Sequence, residues 1–215
     1  MKILLNEPSI TNLEKKYVND VLKRGWLSAD GKHTKVFEKK LSKFLKIKNG
    51  FAVQSGTAAL HTALKGLGVK VNDAVIVPNY TCLSNLSAVT QCGAKPIILE
   101  VEKETLGLDY NLLKKAIKIY KPKVVQLVHV YGFVARDTIK IKKLCKKNNI
   151  KLLEDNSEGL GATLNGKKTG SFGDISINSL RSEKMIGVGE GGFVSSNNNE
   201  IFNRCVLYAS RNAKF

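Results

Sequence analysis

The stretch Glu154-Asp155-Asn156-Ser157-Glu158-Gly159-Leu160-Gly161-Ala162 is the part of the chain from which the fold can be inferred. The apolar run from Ile150 to Leu153 leads into it, and this run is short and ends in acids. A buried parallel strand has this pattern, because it delivers its last residues to the functional edge of an α/β sheet. We therefore expect Asp155 at that edge.

Two later segments add chemistry that such an edge can use: Ser179-Leu180-Arg181-Ser182-Glu183-Lys184 and Gly187-Val188-Gly189-Glu190-Gly191-Gly192. Together, the acid, the lysine and the glycines suit pyridoxal phosphate. A carboxylate keeps the pyridine nitrogen protonated, a lysine binds the aldehyde as an imine, and glycines let the backbone approach the ligand. Each feature also has an ordinary explanation, as a helix cap, a surface charge or a turn.

The same residues resemble a known family. The resemblance rests on Glu154-Asp155, Gly161-Ala162, Gly166, Gly170-Ser171-Phe172-Gly173-Asp174, Ser179, Lys184 and Gly189-Glu190-Gly191-Gly192. This string is similar to the DegT/DnrJ/EryC1/StrS family of nucleotide-sugar aminotransferases. The resemblance implies that Asp155 pairs with the pyridine nitrogen and that Glu158 reaches the ring hydroxyl. It also implies that Ser179 binds the phosphate and that Lys184 carries the imine and moves the proton.

A second candidate segment lies in the N-terminal half, where a short strand from Phe51 to Gln54 is followed by Ser55-Gly56-Thr57 and a helical pattern. The free N–H groups and the positive dipole at a helix start favour an anion, and glycine lets a phosphate come close. Such a turn can also serve packing alone. It is similar to the family's Gly-Thr-Ala phosphate cup, which implies phosphate binding at Gly56 and Thr57.

Cys82 is the clearest departure from the family. It follows Thr81, at a position where the resemblance implies an aromatic side chain stacked on the cofactor ring. We expect weaker stacking, unless Tyr80 turns in to replace the missing ring. Near a later strand end, His129 is a candidate acid–base residue. No partner for it is visible in the sequence, so a structural role is the preferred interpretation.

Composition restricts the class of protein. The 215 residues are 43% hydrophobic, an ordinary value for a soluble protein. No run approaches the about 18 apolar residues of a membrane span, and the run in Met1 to Pro8 is too short for a signal peptide, so we expect a cytoplasmic protein. Neither a metal site nor a disulfide framework is expected, because CxxC spacing and nearby histidines are missing around Cys82, Cys92, Cys145 and Cys205.

The formal charge of +17 raises the question of a nucleic-acid or membrane partner. The lysines are dispersed over many segments at spacings typical of solvated helix faces. We therefore expect neither partner, although a positive field would favour anionic substrates such as nucleotide sugars.

Strands alternate with helices along the chain, which predicts a three-layer α/β sandwich with a mainly parallel sheet. An amphipathic helix from Ile10 to Lys23, ended by Gly25, is followed by a second helix, and Phe193 to Ser196 is predicted as an outer strand. The inward-facing residues of the second helix are predicted to be Val36, Phe37, Leu41, Phe44 and Leu45. The resemblance implies the large domain of a fold-type I pyridoxal phosphate enzyme over residues 1–215, with the helical segment 1–50 included and one antiparallel strand.

The resemblance also implies a function. A nucleotide-linked keto-sugar, with a 4-keto-6-deoxyhexose as first candidate, would become an amino sugar for surface polysaccharide, with glutamate as amino donor and a homodimer as the working unit. The family's small C-terminal domain is expected to be absent. One alternative is therefore a non-catalytic cofactor-binding remnant or one half of a split enzyme. A second is the family's sugar dehydratase branch, which has histidine at the position of Lys184.

Overall fold

The computed structural model describes residues 9–210; the predictions that concern residues 1–8 and 211–215 of the 1–215 domain lie outside the described residues. The helices are α1 (Asn12–Arg24), α2 (Lys32–Leu45), α3 (Gly56–Gly66), α4 (Leu83–Gln91), α5 (Tyr110–Tyr120), α6 (Thr138–Lys147) and α7 (Asn199–Ala209). The strands are β1 (Asn49–Val53), β2 (Ala74–Pro78), β3 (Lys95–Leu99), β4 (Val124–Val128), β5 (Lys151–Asp155), β6 (Thr163–Leu164), β7 (Lys167–Lys168), β8 (Ile175–Ser179) and β9 (Gly192–Ser196).

A seven-stranded sheet organises the fold, in the order β1-β9-β8-β5-β4-β2-β3. Neighbours from β8 to β3 are parallel, whereas β9 is antiparallel to both β8 and β1. The prediction of an α/β fold with a mainly parallel sheet and one antiparallel strand is confirmed. Because β1, β2, β4, β5 and β8 run in the same direction, their carboxyl ends meet at one edge of the sheet.

Helices cover both faces of the sheet and give the three predicted layers. Helices α3, α4 and α7 share an apolar cluster with Leu153 of β5, and α5 and α6 share another with Leu152. Successive strand residues point to opposite faces, so β5 contributes to both clusters. The same alternation puts Glu154 on the face of Leu152 and Asp155 on the face of Leu153.

The prediction of Phe193 to Ser196 as an outer strand is wrong. These residues belong to β9, which lies between β1 and β8 and is buried along its length. Its two faces are both covered: Val194 joins the cluster of α3, and Phe193 packs with Leu41 and Leu45 of α2. The edges of the sheet are β1 and β3.

The two N-terminal helices form as predicted, but they bury less apolar surface than expected. Helix α1 ends at Gly25 and has no buried residue. In α2, Leu41 and Leu45 are buried, whereas Val36 and Phe44 are 42% and 45% exposed. The period of an apolar stripe specifies a helix but not what covers the stripe. In residues 9–210, no helix combines the length and the apolar character that crossing a membrane requires.

Candidate active site

A cavity of about 620 Å³ lies at the carboxyl edge of the parallel strands. Its walls come from the segments that follow β1, β2, β4, β5 and β8. Seven candidate site residues predicted from the sequence line this cavity: Gly56, Thr57, Cys82, Asp155, Glu158, Ser179 and Lys184. Residues that are far apart in the chain meet here because parallel strands deliver their ends to one edge.

The start of α3 forms one end of the cavity. The Ser55 hydroxyl caps this helix by accepting the Ala58 N–H at 3.1 Å. The N–H groups of Gly56 and Thr57 have no acceptor within the helix, as at every helix start. A Cβ at Gly56 would come within 2.7 Å of the Ser179 Cβ, so only glycine lets the helix start approach Ser179 this closely. The helix start and the Ser179 hydroxyl therefore border the same small volume.

Asp155 is the last residue of β5 and is 4% exposed. Its Oδ1 accepts the Ser157 N–H at 3.0 Å, and its Oδ2 accepts an Asn85 Nδ2–H at 2.9 Å. These bonds fix the plane of the carboxylate. A carboxylate has about four lone-pair sites, so acceptor capacity is left for a ligand in the cavity.

Lys184 lies in the segment between β8 and β9, and its side chain is only 16% exposed. Its Nζ donates to Glu158 Oε1 at 2.8 Å, while Glu158 Oε2 accepts the Tyr131 N–H at 2.7 Å. Burial opposes ionisation of Glu158, but the bonds from Lys184 and Tyr131 more than offset it and hold the pKa of this carboxyl below its ordinary value. The amine of the cavity is therefore held by an ionised carboxylate.

Cys82, where the sequence departs from the family, is exposed and precedes the first residue of α4 without a side-chain capping bond. Its Sγ lies 3.3 Å from Ser84 Oγ, which also accepts the Thr57 hydroxyl at 3.0 Å. Tyr80 also lines the cavity, and its ring meets that of Tyr131 edge to face with centroids 6.2 Å apart. The two hydroxyls are 3.0 Å apart, and this bond raises the pKa of Tyr131. An aromatic side chain is thus present in the wall beside Cys82.

His129 does not line the cavity; it lies on the other face of the sheet. Its Nδ1 accepts the Ala135 N–H at 3.2 Å, so Nε2 carries the proton and donates it to Glu154 Oε1 at 3.0 Å. Both side chains are fully buried. Glu154 also accepts backbone N–H groups at 2.6, 2.6 and 2.8 Å, from Gly170, Phe172 and Gly173. The burial and the bonds of His129 agree with the structural interpretation, and Glu154 is the partner that the sequence did not reveal.

Sequence reasoning missed the polar residues behind Asp155. Asn85 in the first turn of α4 and Gln126 in the middle of β4 are both fully buried. A signal existed for Gln126, because it interrupts the apolar run from Val124 to Val128, and a polar residue inside a buried strand is informative. Asn85 carried no such signal, since polar side chains are common near helix starts.

The residues of this cavity fit pyridoxal phosphate. The helix start and the hydroxyls of Thr57 and Ser179 suit a phosphate. Asp155 suits a protonated pyridine nitrogen, and Lys184 supplies an amine for the aldehyde. The volume of about 620 Å³ falls within the range of about 300–1,000 Å³ typical of small-molecule pockets. Among the described residues, no cluster of three or more His, Cys, Asp and Glu side chains could hold a metal ion.

Known proteins resemble this chain in both sequence and structure. GDP-perosamine synthase of Vibrio cholerae is 41% identical over 200 residues, which cover 93% of this chain and 54% of that protein. PseC of Helicobacter pylori, an aminotransferase involved in the biosynthesis of pseudoaminic acid, superposes with a TM-score of 0.89 at 28% identity, over 98% of this chain and 56% of its own. GDP-4-keto-6-deoxy-D-mannose-3-dehydratase of Escherichia coli, solved with bound hydrated pyridoxal phosphate, superposes with a TM-score of 0.87 at 27% identity. The match covers 95% of this chain and 53% of that one.

The chain spans about half the length of the curated relatives that it matches. The model of the DegT/DnrJ/EryC1/StrS aminotransferase family, whose cofactor is pyridoxal phosphate, matches residues 8–214. Because that match extends over most of the sequence, the chain belongs to the DegT/DnrJ/EryC1/StrS aminotransferase family.

Proposed function

We propose that this chain carries the cofactor site of a pyridoxal phosphate-dependent aminotransferase that converts a nucleotide-linked keto-sugar to an amino sugar, with glutamate as amino donor. The observation that carries the proposal is the convergence of Lys184, Asp155 and the start of α3 in one cavity. Each of these features is common alone. Their meeting at the carboxyl edge of a parallel sheet supports one shared ligand with a phosphate, a pyridine nitrogen and an aldehyde.

Different residues of the cavity bind different parts of pyridoxal phosphate. The N–H groups of Gly56 and Thr57 and the hydroxyl of Ser179 hold the phosphate, where the helix dipole favours negative charge. Cys82 and Tyr80 border the ring from the wall formed after β2. Glu158, in the segment after β5, would bind the ring hydroxyl. Together these contacts fix the position of the aldehyde relative to Lys184.

The proton is handled by Lys184 and Asp155. When bound, the cofactor supplies an electron sink that stabilises negative charge on the substrate carbon. Asp155 keeps that sink effective by holding a proton on the ring nitrogen. Lys184 would hold the aldehyde through its Nζ, and the same Nζ, when free, would move a proton to and from the substrate carbon. Glu158, 2.8 Å from this Nζ, keeps the free amine near the carbon.

The substrate class is proposed from the relatives. The name of the Vibrio cholerae relative specifies a GDP-linked amino sugar, and PseC acts in the biosynthesis of another amino sugar. A nucleotide-linked 4-keto-6-deoxyhexose is the first candidate, used for surface polysaccharide such as O-antigen lipopolysaccharide. Since such sugars are made before export, we place the reaction in the cytoplasm.

A homodimer is proposed as the working unit. On α1, the apolar side chains of Leu13, Val18 and Leu22 are each more than half exposed, and a second copy could cover them. Sedimentation of the pure chain at several concentrations tests this, and a monomer at all of them would contradict it.

Two alternatives remain. A sugar dehydratase is favoured by the likeness to the Escherichia coli enzyme, whereas Lys184 stands against it. The second alternative, a non-catalytic cofactor-binding remnant or one half of a split enzyme, is favoured by the charges that line the cavity. The described charged side chains that line the cavity are four carboxylates and two cations, an unfavourable balance for an anionic sugar nucleotide: Asp155, Glu158, Glu183, Glu190, Arg181 and Lys184.

Covalent trapping tests the site. The chain is incubated with pyridoxal phosphate, reduced with borohydride, digested and mapped by mass spectrometry. We expect the label on Lys184, and none in Lys184→Ala. Lys123→Ala is the matched control, because Lys123 also pairs with a carboxylate, Asp73 at 2.9 Å, but lies outside the cavity. Labelling of a different lysine in Lys184→Ala would overturn the assignment.

Product analysis tests the reaction. The loaded chain is given glutamate and a nucleotide-linked 4-keto-6-deoxyhexose, and the sugar product is weighed by mass spectrometry. An amino group in place of the keto oxygen supports the aminotransferase, and loss of a hydroxyl as water supports the dehydratase. Binding of the cofactor without either product would support the remnant.

A further inference from the structure

Two buried amide side chains stand directly behind Asp155. Asn85 and Gln126 are both fully buried, one near the start of α4 and the other in the middle of β4. A buried amide is costly unless its donors and acceptors are bonded. Two buried amides in the apolar centre of the molecule therefore indicate a function that offsets the cost of burying them.

Asn85 and Gln126 are hydrogen-bonded to each other, and Asn85 also bonds to Thr81 and Asp155. One Asn85 Nδ2–H goes to Gln126 Oε1 at 2.9 Å and the other goes to Asp155 Oδ2 at 2.9 Å. The Asn85 Oδ1 accepts the Thr81 hydroxyl at 3.0 Å, and Gln126 Nε2 donates to the Asn85 carbonyl at 3.2 Å. Both protons of the Asn85 amide are thus used, and the orientation of the amide is determined by its partners.

We propose that Asn85, held by Gln126, is a positioning residue that fixes the Asp155 carboxylate in the plane required by the ring nitrogen of pyridoxal phosphate. This inference rests on the proposed function. The terminal torsion of an aspartate is broad, so its packing alone does not hold the two oxygens in one orientation. The Ser157 N–H anchors Oδ1, and the second bond, from Asn85 to Oδ2, stops the carboxylate from turning about that anchor.

The cost of the pair supports a role beyond stability. Replacing both members of a buried hydrogen-bonded pair with apolar groups of the same shape is close to neutral for folding. A leucine at 85 and a methionine at 126 would fill a similar space and remove both amide groups together. Among the described residues, this apolar pair would lose the N–H directed at Asp155, the acceptor of the partly buried Thr81 hydroxyl and the bond to the residue-85 carbonyl. Of these losses, the one that acts on Asp155 is the N–H.

The test compares four proteins loaded with pyridoxal phosphate that is ¹⁵N-labelled in the ring: wild type, Asn85→Leu, the double variant Asn85→Leu/Gln126→Met and Thr138→Val. Thr138 is the matched control, because it is fully buried and donates to the Ala135 carbonyl at 2.7 Å but lies outside the cavity. The ¹⁵N chemical shift reports protonation of the ring nitrogen. The double variant keeps the test valid if Asn85→Leu alone folds poorly.

In both Asn85 variants, we expect the ring nitrogen to lose its proton at a pH lower by at least about one unit, because a rotating carboxylate stabilises the charge less. We expect kcat to fall about tenfold, with the KM of the donor and the dissociation constant of the cofactor within about threefold, since the phosphate and Lys184 contacts remain. Thr138→Val should show none of these changes.

Asp155→Asn is measured in the same series so that two failures can be told apart. If Asp155→Asn loses the ring proton while both Asn85 variants behave like Thr138→Val, the positioning role of Asn85 is overturned and the proposed function stands. If Asp155→Asn itself keeps the ring proton and the wild-type rate, the proposed role of Asp155 fails, and the inference about Asn85 fails with it.

Discussion

Glu154 and Asp155 are consecutive carboxylates at the end of one strand, yet their surroundings differ completely. Glu154 is fully buried on the face of α5 and α6, where His129 and three backbone N–H groups bind it. Asp155 turns to the face of α3 and α4, where it accepts two hydrogen bonds and borders the cavity. Because successive strand residues point to opposite faces, Glu154 binds the loop from Gly170 to Gly173, whereas Asp155 faces the cavity.

The difference shows how a structural acid can be distinguished from a functional one. Glu154 accepts four hydrogen bonds, which use the acceptor capacity of its carboxylate, and three of them hold the turn from Gly170 to Gly173 against β5. Asp155 retains acceptor capacity that faces an open volume. The same residue class at the same strand end therefore gives opposite expectations for mutation: loss of folding at Glu154 and loss of chemistry at Asp155.

Asp155→Asn should give the largest effect. An amide cannot hold the ring nitrogen protonated, so we expect the variant to retain cofactor but to lose about two to three orders of magnitude in the rate of amino transfer, or about 3–4 kcal/mol of barrier. The amide NH₂ would also face one of the two donors, Ser157 N–H or Asn85 Nδ2–H, so we expect the free energy of unfolding to fall by about 1–2 kcal/mol, less than in Glu154→Gln, where two donors lose their acceptor. Single-turnover rates with glutamate and urea unfolding measure the two quantities. A near-normal rate would show that another acid serves the ring nitrogen.

Glu154→Gln should mainly lower the stability of the fold and leave the chemistry of the site close to normal. The amide places an NH₂ group where Oε2 accepts the N–H groups of Phe172 and Gly173, so donor would face donor. We expect the free energy of unfolding to fall by about 3 kcal/mol, because a buried network loses acceptors that nothing replaces. Cofactor binding by the fraction that remains folded should be close to normal. A variant that is as stable as wild type but slow in amino transfer would contradict the division between the two acids.

The sheet and most of the site could be predicted from the sequence, because both depend on local patterns. The apolar run from Ile150 to Leu153 specifies a buried strand, and the carboxyl edge of a parallel sheet then brings Asp155, Gly56 and Lys184 together. The prediction that failed, an outer position for the strand from Phe193 to Ser196, depended on which elements lie beside that strand. The placement of Phe193 inside the sheet depends on α2 covering one of its faces, which no local pattern in β9 reveals.

The hydrogen bonds of the buried polar residues could not be predicted from the sequence, also for a physical reason. His129 and Glu154 are 25 residues apart, and Asn85 and Asp155 are 70 apart. Hydrogen bonds over such separations are set by sheet order and helix position, whereas residue spacing reports only on contacts within one element. A polar residue in an apolar strand, as at Gln126, marks that a partner exists without saying which residue it is.

His129→Leu should have a smaller effect of the same kind as Glu154→Gln. Glu154 would lose one of its four donors and the Ala135 N–H would lose its acceptor, so we expect a loss of about 2 kcal/mol in unfolding free energy. The rate of amino transfer per folded molecule should stay within about threefold of wild type. His129→Gln, which retains a donor and an acceptor, should recover part of the stability. A collapse of the rate in a folded His129→Leu protein would bring His129 back as an acid–base candidate.

Glu158→Gln should give the smallest effect, and pH is the means of detecting it. The pKa of Glu158 is held below its ordinary value, so its charge stabilises the fold fully above the unfolded-state pKa of about 4.3 and ceases to do so as the pH falls through the lower folded-state pKa. The bond to Lys184 is partly exposed, and we expect the cofactor-free variant to be less stable than wild type by at most about 1 kcal/mol near pH 7.

That difference should shrink as the pH falls below about 4, where the wild-type carboxyl also becomes neutral and the two proteins become alike. Urea unfolding of both proteins across this range measures it. Glu200→Gln is the matched control, since Glu200 pairs with Arg204 at 2.7 Å but is 77% exposed, and should change stability by less than about 0.5 kcal/mol at any pH. A Glu158→Gln deficit that persists unchanged in acid would show that packing or the Tyr131 N–H, and not the charge on Glu158, accounts for the contribution of this residue.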